Sequence, residues 1–158
     1  VLGVDGNDGS PLVERLREAR AAELLDCTRW VLGMNAFEGA LYADPDGDSD
    51  SIWWELVARH QRLTPPEDRR SPDWAAKIHV AVAPVYYHTY LYGTIVGLQL
   101  RDSLHDAVGG IVERPEAGTL LGQKLFARGQ SIRWDSLVEQ ASGSPLSVRS
   151  LAREVAVG

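Results

Sequence analysis

A lysine, a histidine and two tyrosines lie close together near the middle of this 158-residue chain. Lys77 and His79 flank Ile78, so on an extended or irregular backbone their side chains point to the same side. Tyr87 and Tyr90 are three residues apart, which makes them neighbours on one face of a helix. All four side chains can donate hydrogen bonds, and a lysine beside a phenol at a helix N-terminus suits a carboxylate. An imidazole and a phenol are also common donors to a carbonyl that is becoming an oxyanion.

The same residues allow a purely structural interpretation. Tyrosines at helical spacing are usually half-buried core residues, and a lysine usually lies in solvent. Spacing alone therefore leaves both interpretations open.

Four short motifs, taken in order, resemble a known enzyme family. They are Trp-Trp-Glu-Leu-Val at 53–57, Pro-Pro at 65–66, Asp-Trp-Ala-Ala-Lys-Ile-His at 73–79 and Pro-Val-Tyr-Tyr at 84–87. This order is similar to the C-terminal portion of the angiotensin-converting enzyme (peptidyl-dipeptidase A) family of zinc metallopeptidases, in its bacterial form. The resemblance runs from about residue 21 to 153. It implies an all-α fold, namely a multi-helix, bundle-like segment of a zincin-type enzyme that releases dipeptides from peptide C-termini.

The resemblance also implies roles for the four residues of the cluster. Lys77 and Tyr87 would hold the C-terminal carboxylate of a peptide substrate. His79 would bind a backbone carbonyl of that peptide, and Tyr90 would stabilise the tetrahedral intermediate.

The alignment of the tyrosines requires one inserted residue between His79 and Tyr87 relative to the animal enzymes. An ungapped match would select Tyr86 and Thr89 and would lose the catalytic phenol, so the gapped match is preferred. The animal enzymes carry a chloride-binding arginine just before the last tyrosine of the motif. Thr89 occupies that position here, which puts chloride activation in doubt.

The metal-binding motif of the family is absent from this sequence. The family binds zinc through H-E-x-x-H on a helix and a downstream glutamate, and the glutamate of the motif acts as general base. No two of the four histidines here are four residues apart; they are His60, His79, His88 and His105. We therefore expect that this chain alone binds no metal or other cofactor and has no peptidase activity. The resemblance implies zinc only for a complete family enzyme.

Two kinds of partner are compatible with this interpretation. A peptide C-terminus would bind if the site is complete. Alternatively, the chain is a non-enzymatic helical interaction or assembly module that retains the peptidase fold and pairs with itself or with a missing N-terminal portion, since an isolated copy would expose apolar surface.

Composition limits the remaining classes of function. A net charge of -6 argues against nucleic acid as a partner, because that would require a basic face. No apolar run is long enough to cross a bilayer, so no membrane partner is expected. Cys27 is the only cysteine and is predicted to be a buried, structural thiol, which suits a reducing compartment. The N-terminal residues also do not resemble a signal peptide. Both observations favour a cytoplasmic protein. The chain starts without methionine, which is typical of a fragment or a trimmed product.

The pattern of apolar and capping residues predicts helices throughout and no strand. Residues 1–9 are expected to form a flexible arm, and residues 10–158 a single helical domain. The helix at 84–108 is apolar nearly all round and should be the central, most buried element, while Trp30 should pack in the core. The predicted helices cover about 11–42, 51–62, a short stretch after 71, 84–108, 115–128, 131–141 and 146–157.

An acidic turn at 44–50 allows two interpretations. Its alternating aspartates, with Glu55 further on, resemble a calcium loop, but the glycine comes before the third acid instead of after it. The favoured alternative is that Asp48 or Asp50 caps the following helix.

Overall fold

The fold is all-α, as predicted, and no strand occurs in the part of the chain that the computed structural model describes, which is 10–67, 69 and 71–156. The α-helices are α1 Pro11–Ala43, α2 Ser49–Gln61, α3 Ile78–Ala81, α4 Tyr87–Val108, α5 Pro115–Lys124, α6 Trp134–Ser142 and α7 Arg149–Val155. Two 3₁₀ turns, Asp73–Ala76 and Phe126–Arg128, lie between them. None of the described helices has the length and apolar character needed to cross a bilayer.

The chain divides into two compact units, Val1–Leu91 and Tyr92–Gly158, with the boundary inside α4. The flexible arm expected over residues 1–9 lies outside the described residues. The single domain expected over 10–158 stays a prediction.

In the first unit, α1 packs along α2 and supplies the most deeply buried side chains. Val31, Met34 and Phe37 are at most 1 % exposed. These three residues lie on α1, so the deepest part of this core comes from that helix, and Tyr90, Tyr92 and Gly93 of α4 are exposed. The expectation that α4 is the central, most buried element stays a prediction. Trp53 meets Phe37 edge-to-face at 5.2 Å between ring centroids, which joins the two helices.

The acidic turn caps α2, as the favoured interpretation predicted. The Ser51 N–H donates to Asp48 Oδ1 at 3.0 Å, and the Ser51 hydroxyl donates to Asp48 Oδ2 at 2.6 Å. Asp50 accepts a hydrogen bond from the Trp74 indole at 2.8 Å. No group of three or more His, Cys, Asp or Glu among the described residues is arranged to hold a metal ion.

The second unit is organised around the buried amide of Gln99, which is 7 % exposed. Its Nε2 donates to Ser142 Oγ at 2.8 Å and to the Ser144 carbonyl at 3.0 Å. Its Oε1 accepts from the Ser147 N–H at 2.9 Å. These bonds hold the turn after α6 against α4. The last helix was predicted to begin at residue 146, but α7 begins at Arg149, after this turn.

Three other helix boundaries differ from the predictions. The helix α4 begins at Tyr87 and not at Pro84, because Val85 has a left-handed backbone with φ of 57°. The helix predicted over 115–128 ends at Lys124 and continues only as a 3₁₀ turn. The helix predicted over 131–141 begins at Trp134, with Arg133 as its N-cap residue.

Cys27 is exposed, so the prediction of a buried thiol is wrong. Arg29 donates to the His60 carbonyl in the last turn of α2, and a Cβ on Gly33 would lie 3.4 Å from that of His60. Cys27 therefore lies on the part of α1 beyond the end of α2. The cytoplasmic location inferred in part from this cysteine stays a prediction.

Candidate functional site

The segment that carries Lys77 and His79 is anchored to the core of the first unit by Trp74. The Trp74 ring lies 5.5 Å from that of Phe37, and its indole N–H donates to Asp50. The 3₁₀ turn ends at Ala76, and Lys77 then has an extended backbone with φ of -83° and ψ of 113°. The helix α3 begins at Ile78, so Lys77 lies between the 3₁₀ turn and α3.

His79 is surrounded by three tyrosines, namely Tyr86 directly before α4 and Tyr87 and Tyr90 in the first turn of α4. Its Nε2 lies 3.0 Å from the Tyr90 hydroxyl oxygen, within hydrogen-bond distance. Its ring stacks parallel to Tyr86, with centroids 5.4 Å apart, and meets Tyr87 edge-on at 4.8 Å. His79 Nδ1 is buried and has no hydrogen-bond partner in the described part of the chain. The imidazole is therefore fixed by ring contacts and by one bond to a phenol.

Lys77 and Tyr87 meet at a common side chain, Trp30 of α1. The Lys77 ammonium lies 5.0 Å from the centroid of the Trp30 ring and 5.9 Å from that of Trp53, in cation–π geometry. Tyr87 meets the Trp30 ring edge-to-face, with ring centroids 6.2 Å apart. Trp30 packs in the core as predicted, but it also joins the two proposed carboxylate-binding residues.

Tyr87 and Tyr90 differ in burial. Tyr87 is 7 % exposed, whereas Tyr90 is 46 % exposed. Burial raises the pKa of the Tyr87 phenol, and the neighbouring Tyr90 and Glu38 raise it further, whereas the nearby Trp30 indole lowers it by less. Tyr87 is therefore a protonated hydrogen-bond donor at neutral pH.

A buried carboxylate fixes the turn before α4. Glu38 is 4 % exposed, and its Oε1 accepts from the Val85 N–H at 2.7 Å and from the Tyr42 hydroxyl at 3.4 Å. A β-branched residue such as Val85 rarely adopts a positive φ, which costs about 1–3 kcal/mol. The hydrogen bond to Glu38 holds Val85 in this conformation. It thereby fixes the backbone that leads into Tyr86 and into the start of α4 at Tyr87.

The structure thus brings all four predicted residues, Lys77, His79, Tyr87 and Tyr90, into one cluster in the first unit. Their roles toward a substrate stay predictions. The sequence interpretation missed the contributions of three further residues, Trp30, Tyr86 and Glu38. The only signal for Glu38 was a charged residue directly after Phe37 on the apolar face of α1.

The donor set of this cluster does not fit zinc. It contains one histidine, one lysine and tyrosines, and the described residues include no group of three or more His, Cys, Asp or Glu that could hold a metal ion.

Comparison with known proteins gives distant matches to mammalian angiotensin-converting enzymes. Over 132 residues, 77 % of this chain, the identity is 29 % with the enzymes of Rattus norvegicus and Mesocricetus auratus. The enzyme of Oryctolagus cuniculus is 27 % identical over the same length. These matches span 9 % of the length of each relative. No protein-family model and no solved structure matches the chain. The resemblance inferred from the four motifs is thereby confirmed as a distant similarity to one part of angiotensin-converting enzyme.

Proposed function

We propose that the cluster binds the free C-terminal end of a peptide, as the carboxylate- and oxyanion-binding part of a peptidyl-dipeptidase-like site. The observation that carries this proposal is the meeting of Lys77 and Tyr87 at Trp30, beside a His79–Tyr90 pair separated by 3.0 Å. The distant similarity to angiotensin-converting enzyme supports it. The bacterial type of the family is part of the same proposal.

Lys77 and Tyr87 supply complementary donors for a carboxylate. The ammonium provides the positive charge, and the phenol, which is protonated at neutral pH, provides an O–H donor. Aromatic rings surround the ammonium on the core side, so an incoming anion meets it from the solvent side with less competing water.

His79 and Tyr90 would exchange their mutual hydrogen bond for bonds to the peptide. Tyr90 is close to half exposed, so its hydroxyl can turn toward a carbonyl oxygen outside the cluster. His79 Nε2 would then be available to a second peptide carbonyl. A phenol and an imidazole placed in this way suit an oxygen that gains negative charge during peptide cleavage.

Cleavage itself would need zinc ligands that this chain does not provide. Release of C-terminal dipeptides is the reaction implied by the family resemblance, and we propose that this chain alone binds peptide ends without cleaving them. A mixture of the chain, zinc and a tripeptide should therefore give no dipeptide by mass spectrometry.

Binding can be tested by calorimetric titration with one tripeptide in two forms, with a free and with an amidated C-terminus. The free acid should bind more tightly. Replacing Lys77 with Met should remove this preference, at a cost of about tenfold or more in Kd, because a hydrogen bond to a charged group contributes about 1.5–3 kcal/mol.

The chain offers a matched control, since its other lysine, Lys124, is exposed in the second unit. Lys124→Met removes the same charge and should leave binding unchanged. Equal affinity of the unaltered chain for acid and amide peptides would exclude the proposal.

A second candidate is an interaction module, favoured by apolar side chains exposed around the cluster. Ile78, Val82 and Val85 are 64 %, 75 % and 59 % exposed. Such a surface is typical of a protein–protein contact, formed here with a second copy or with a separate metal-bearing polypeptide. Sedimentation that depends on protein concentration, together with a lack of peptide binding, would favour this function.

A further inference from the structure

Tyr86 is an exposed tyrosine that contacts both members of the His79–Tyr90 pair. Its ring lies parallel to the imidazole, with an interplanar angle of 4° and centroids 5.4 Å apart. The same ring meets Tyr90 edge-to-face, with centroids 5.5 Å apart. Tyr86 is 45 % exposed, whereas Tyr87, which also contacts His79, is buried in the core of the first unit. Core packing therefore does not explain the position of Tyr86 against the pair.

The orientation of the His79 ring matters because its two nitrogens have different surroundings. Nε2 lies 3.0 Å from the Tyr90 hydroxyl oxygen, whereas Nδ1 is buried and has no hydrogen-bond partner among the described residues. A histidine that binds a ligand through one ring nitrogen is usually oriented by a hydrogen bond from the other nitrogen to a carbonyl or carboxylate. Nδ1 makes no such bond within the described part of the chain, so the contacts of the ring must orient His79.

The burial of Nδ1 also favours one position for the proton of a neutral His79. A neutral imidazole has one N–H donor and one acceptor nitrogen. A proton on Nδ1 would be a buried donor without an acceptor, and such orphaned N–H groups are rare in folded proteins. The proton therefore belongs on Nε2, from which it can be donated to Tyr90 in the free chain and to a peptide carbonyl in the complex.

Stacking on Tyr86 restricts rotation of the imidazole about its Cβ–Cγ bond. Such a rotation tilts the ring plane away from that of Tyr86 and carries Nε2 away from the Tyr90 hydroxyl. Tyr86 is itself held in place, because the residue directly before it, Val85, donates its N–H to the buried Glu38 carboxylate. Fixing a donor before the ligand arrives lowers the entropic cost of binding.

We propose that Tyr86 is a positioning residue for His79, because its ring, stacked on the imidazole, keeps Nδ1 buried and leaves the Nε2–H as the donor to a peptide carbonyl. This inference rests on the proposed function of the cluster. It gives a role to an exposed side chain that makes only ring contacts with the pair. The ligand class is a peptide with a free C-terminal carboxylate, bound by one of its backbone carbonyl oxygens.

Two substitutions in the full chain separate the ring of Tyr86 from its hydroxyl. Tyr86→Phe keeps the stacked ring and should bind a free-acid tripeptide as tightly as the unaltered chain does. Tyr86→Ala removes the ring and should weaken binding about fivefold, as expected for loss of one neutral hydrogen bond. Tyr92→Ala is the matched control, because Tyr92 is 46 % exposed and lies in the second unit. Its loss should leave binding unchanged.

A double substitution distinguishes positioning from direct contact with the peptide. In a His79→Ala background, Tyr86→Ala should cause no additional loss of affinity, because the group that Tyr86 positions is absent. Binding stays measurable in this background, since Lys77 and Tyr87 still meet the carboxylate.

A second readout does not depend on the peptide. The ¹⁵N chemical shifts of an imidazole distinguish its two neutral tautomers, and the His79 signals can be assigned by their loss in His79→Ala. At mildly alkaline pH, the unaltered chain and Tyr86→Phe should show the form with the proton on Nε2. Tyr86→Ala should show a mixture of both forms, because the imidazole can turn and Nδ1 can then meet water.

The outcomes distinguish this inference from the function on which it rests. If the unaltered chain binds acid and amide peptides equally, both fail. If it prefers the acid and Tyr86→Ala binds as well, or loses the same factor in the His79→Ala background, only the role of Tyr86 fails. Equal losses in Tyr86→Phe and Tyr86→Ala would overturn that role too, as would an unchanged His79 tautomer in a folded Tyr86→Ala protein.

Discussion

Replacing Glu38 with alanine removes the acceptor that holds the Val85 amide at the start of α4. A hydrogen bond to a charged group contributes about 1.5–3 kcal/mol to the free energy of unfolding, and loss of one buried methylene adds about 0.8 kcal/mol. Val85 is 59 % exposed, so water can partly replace the lost acceptor. The expected loss is therefore near the low end of these contributions, about 2 kcal/mol.

Urea denaturation followed by circular dichroism at 222 nm measures this loss. With a denaturant slope of about 2 kcal/mol/M, the midpoint of Glu38→Ala should fall by about 1 M. Glu38→Gln keeps a carbonyl oxygen that can accept the same bond, and should lose no more than about 1 kcal/mol.

The control for this prediction is Tyr42→Phe. The Tyr42 hydroxyl lies 3.4 Å from the same carboxylate oxygen, and Tyr42 is 50 % exposed, so its loss should change stability by no more than about 0.5 kcal/mol. If Glu38→Ala were as stable as the unaltered chain, or no less stable than Tyr42→Phe, the reasoning that Glu38 secures this turn would be refuted.

Two further predictions concern the second unit. Burial alone would raise the pKa of Asp102, but hydrogen bonds from Ser150 and Arg101 and the nearby positive charges lower it below its usual value. Asp102→Asn should therefore reduce the free energy of unfolding at pH 7 by about 1 kcal/mol. The difference in stability between the two proteins should disappear as the pH falls below about 4 and through the native pKa of Asp102. Urea titrations at several pH values would measure this difference. A difference that persisted in acid would contradict this. Gln99→Leu should cost about 2–3 kcal/mol and speed amide exchange at Ser147 at least about tenfold, because it removes the partner of that N–H. Unchanged exchange at Ser147 would show that the turn holds without it.

Local signals explain the parts of the fold that could be predicted. Ser10 and Pro11 mark the start of α1, and the Val13 N–H does donate to the Ser10 hydroxyl at 3.3 Å. The Asp48 cap of α2 was likewise readable from neighbouring residues. In each case the decisive contact joins residues three apart, so the sequence pattern contains the interaction.

Long-range contacts account for what could not be predicted. Glu38 and Val85 are 47 residues apart, and nothing near Val85 indicates that a carboxylate from α1 holds it at positive φ. The same holds for Lys77 and Trp30, since the cation–π contact depends on how α1 packs. Helical spacing and the family resemblance could therefore identify the cluster, but could not identify the residues of α1 that complete it.

The positions of the tryptophans allow the two units to be distinguished by intrinsic fluorescence. Four of its five tryptophans, Trp30, Trp53, Trp54 and Trp74, lie within 1–91, whereas Trp134 lies in the second unit and is 53 % exposed. Trp30 and Trp53 are close enough for their excited states to couple. Fluorescence emission should therefore contain a short-wavelength component from the first unit and a long-wavelength component from Trp134, and a quencher dissolved in water should suppress the second component first.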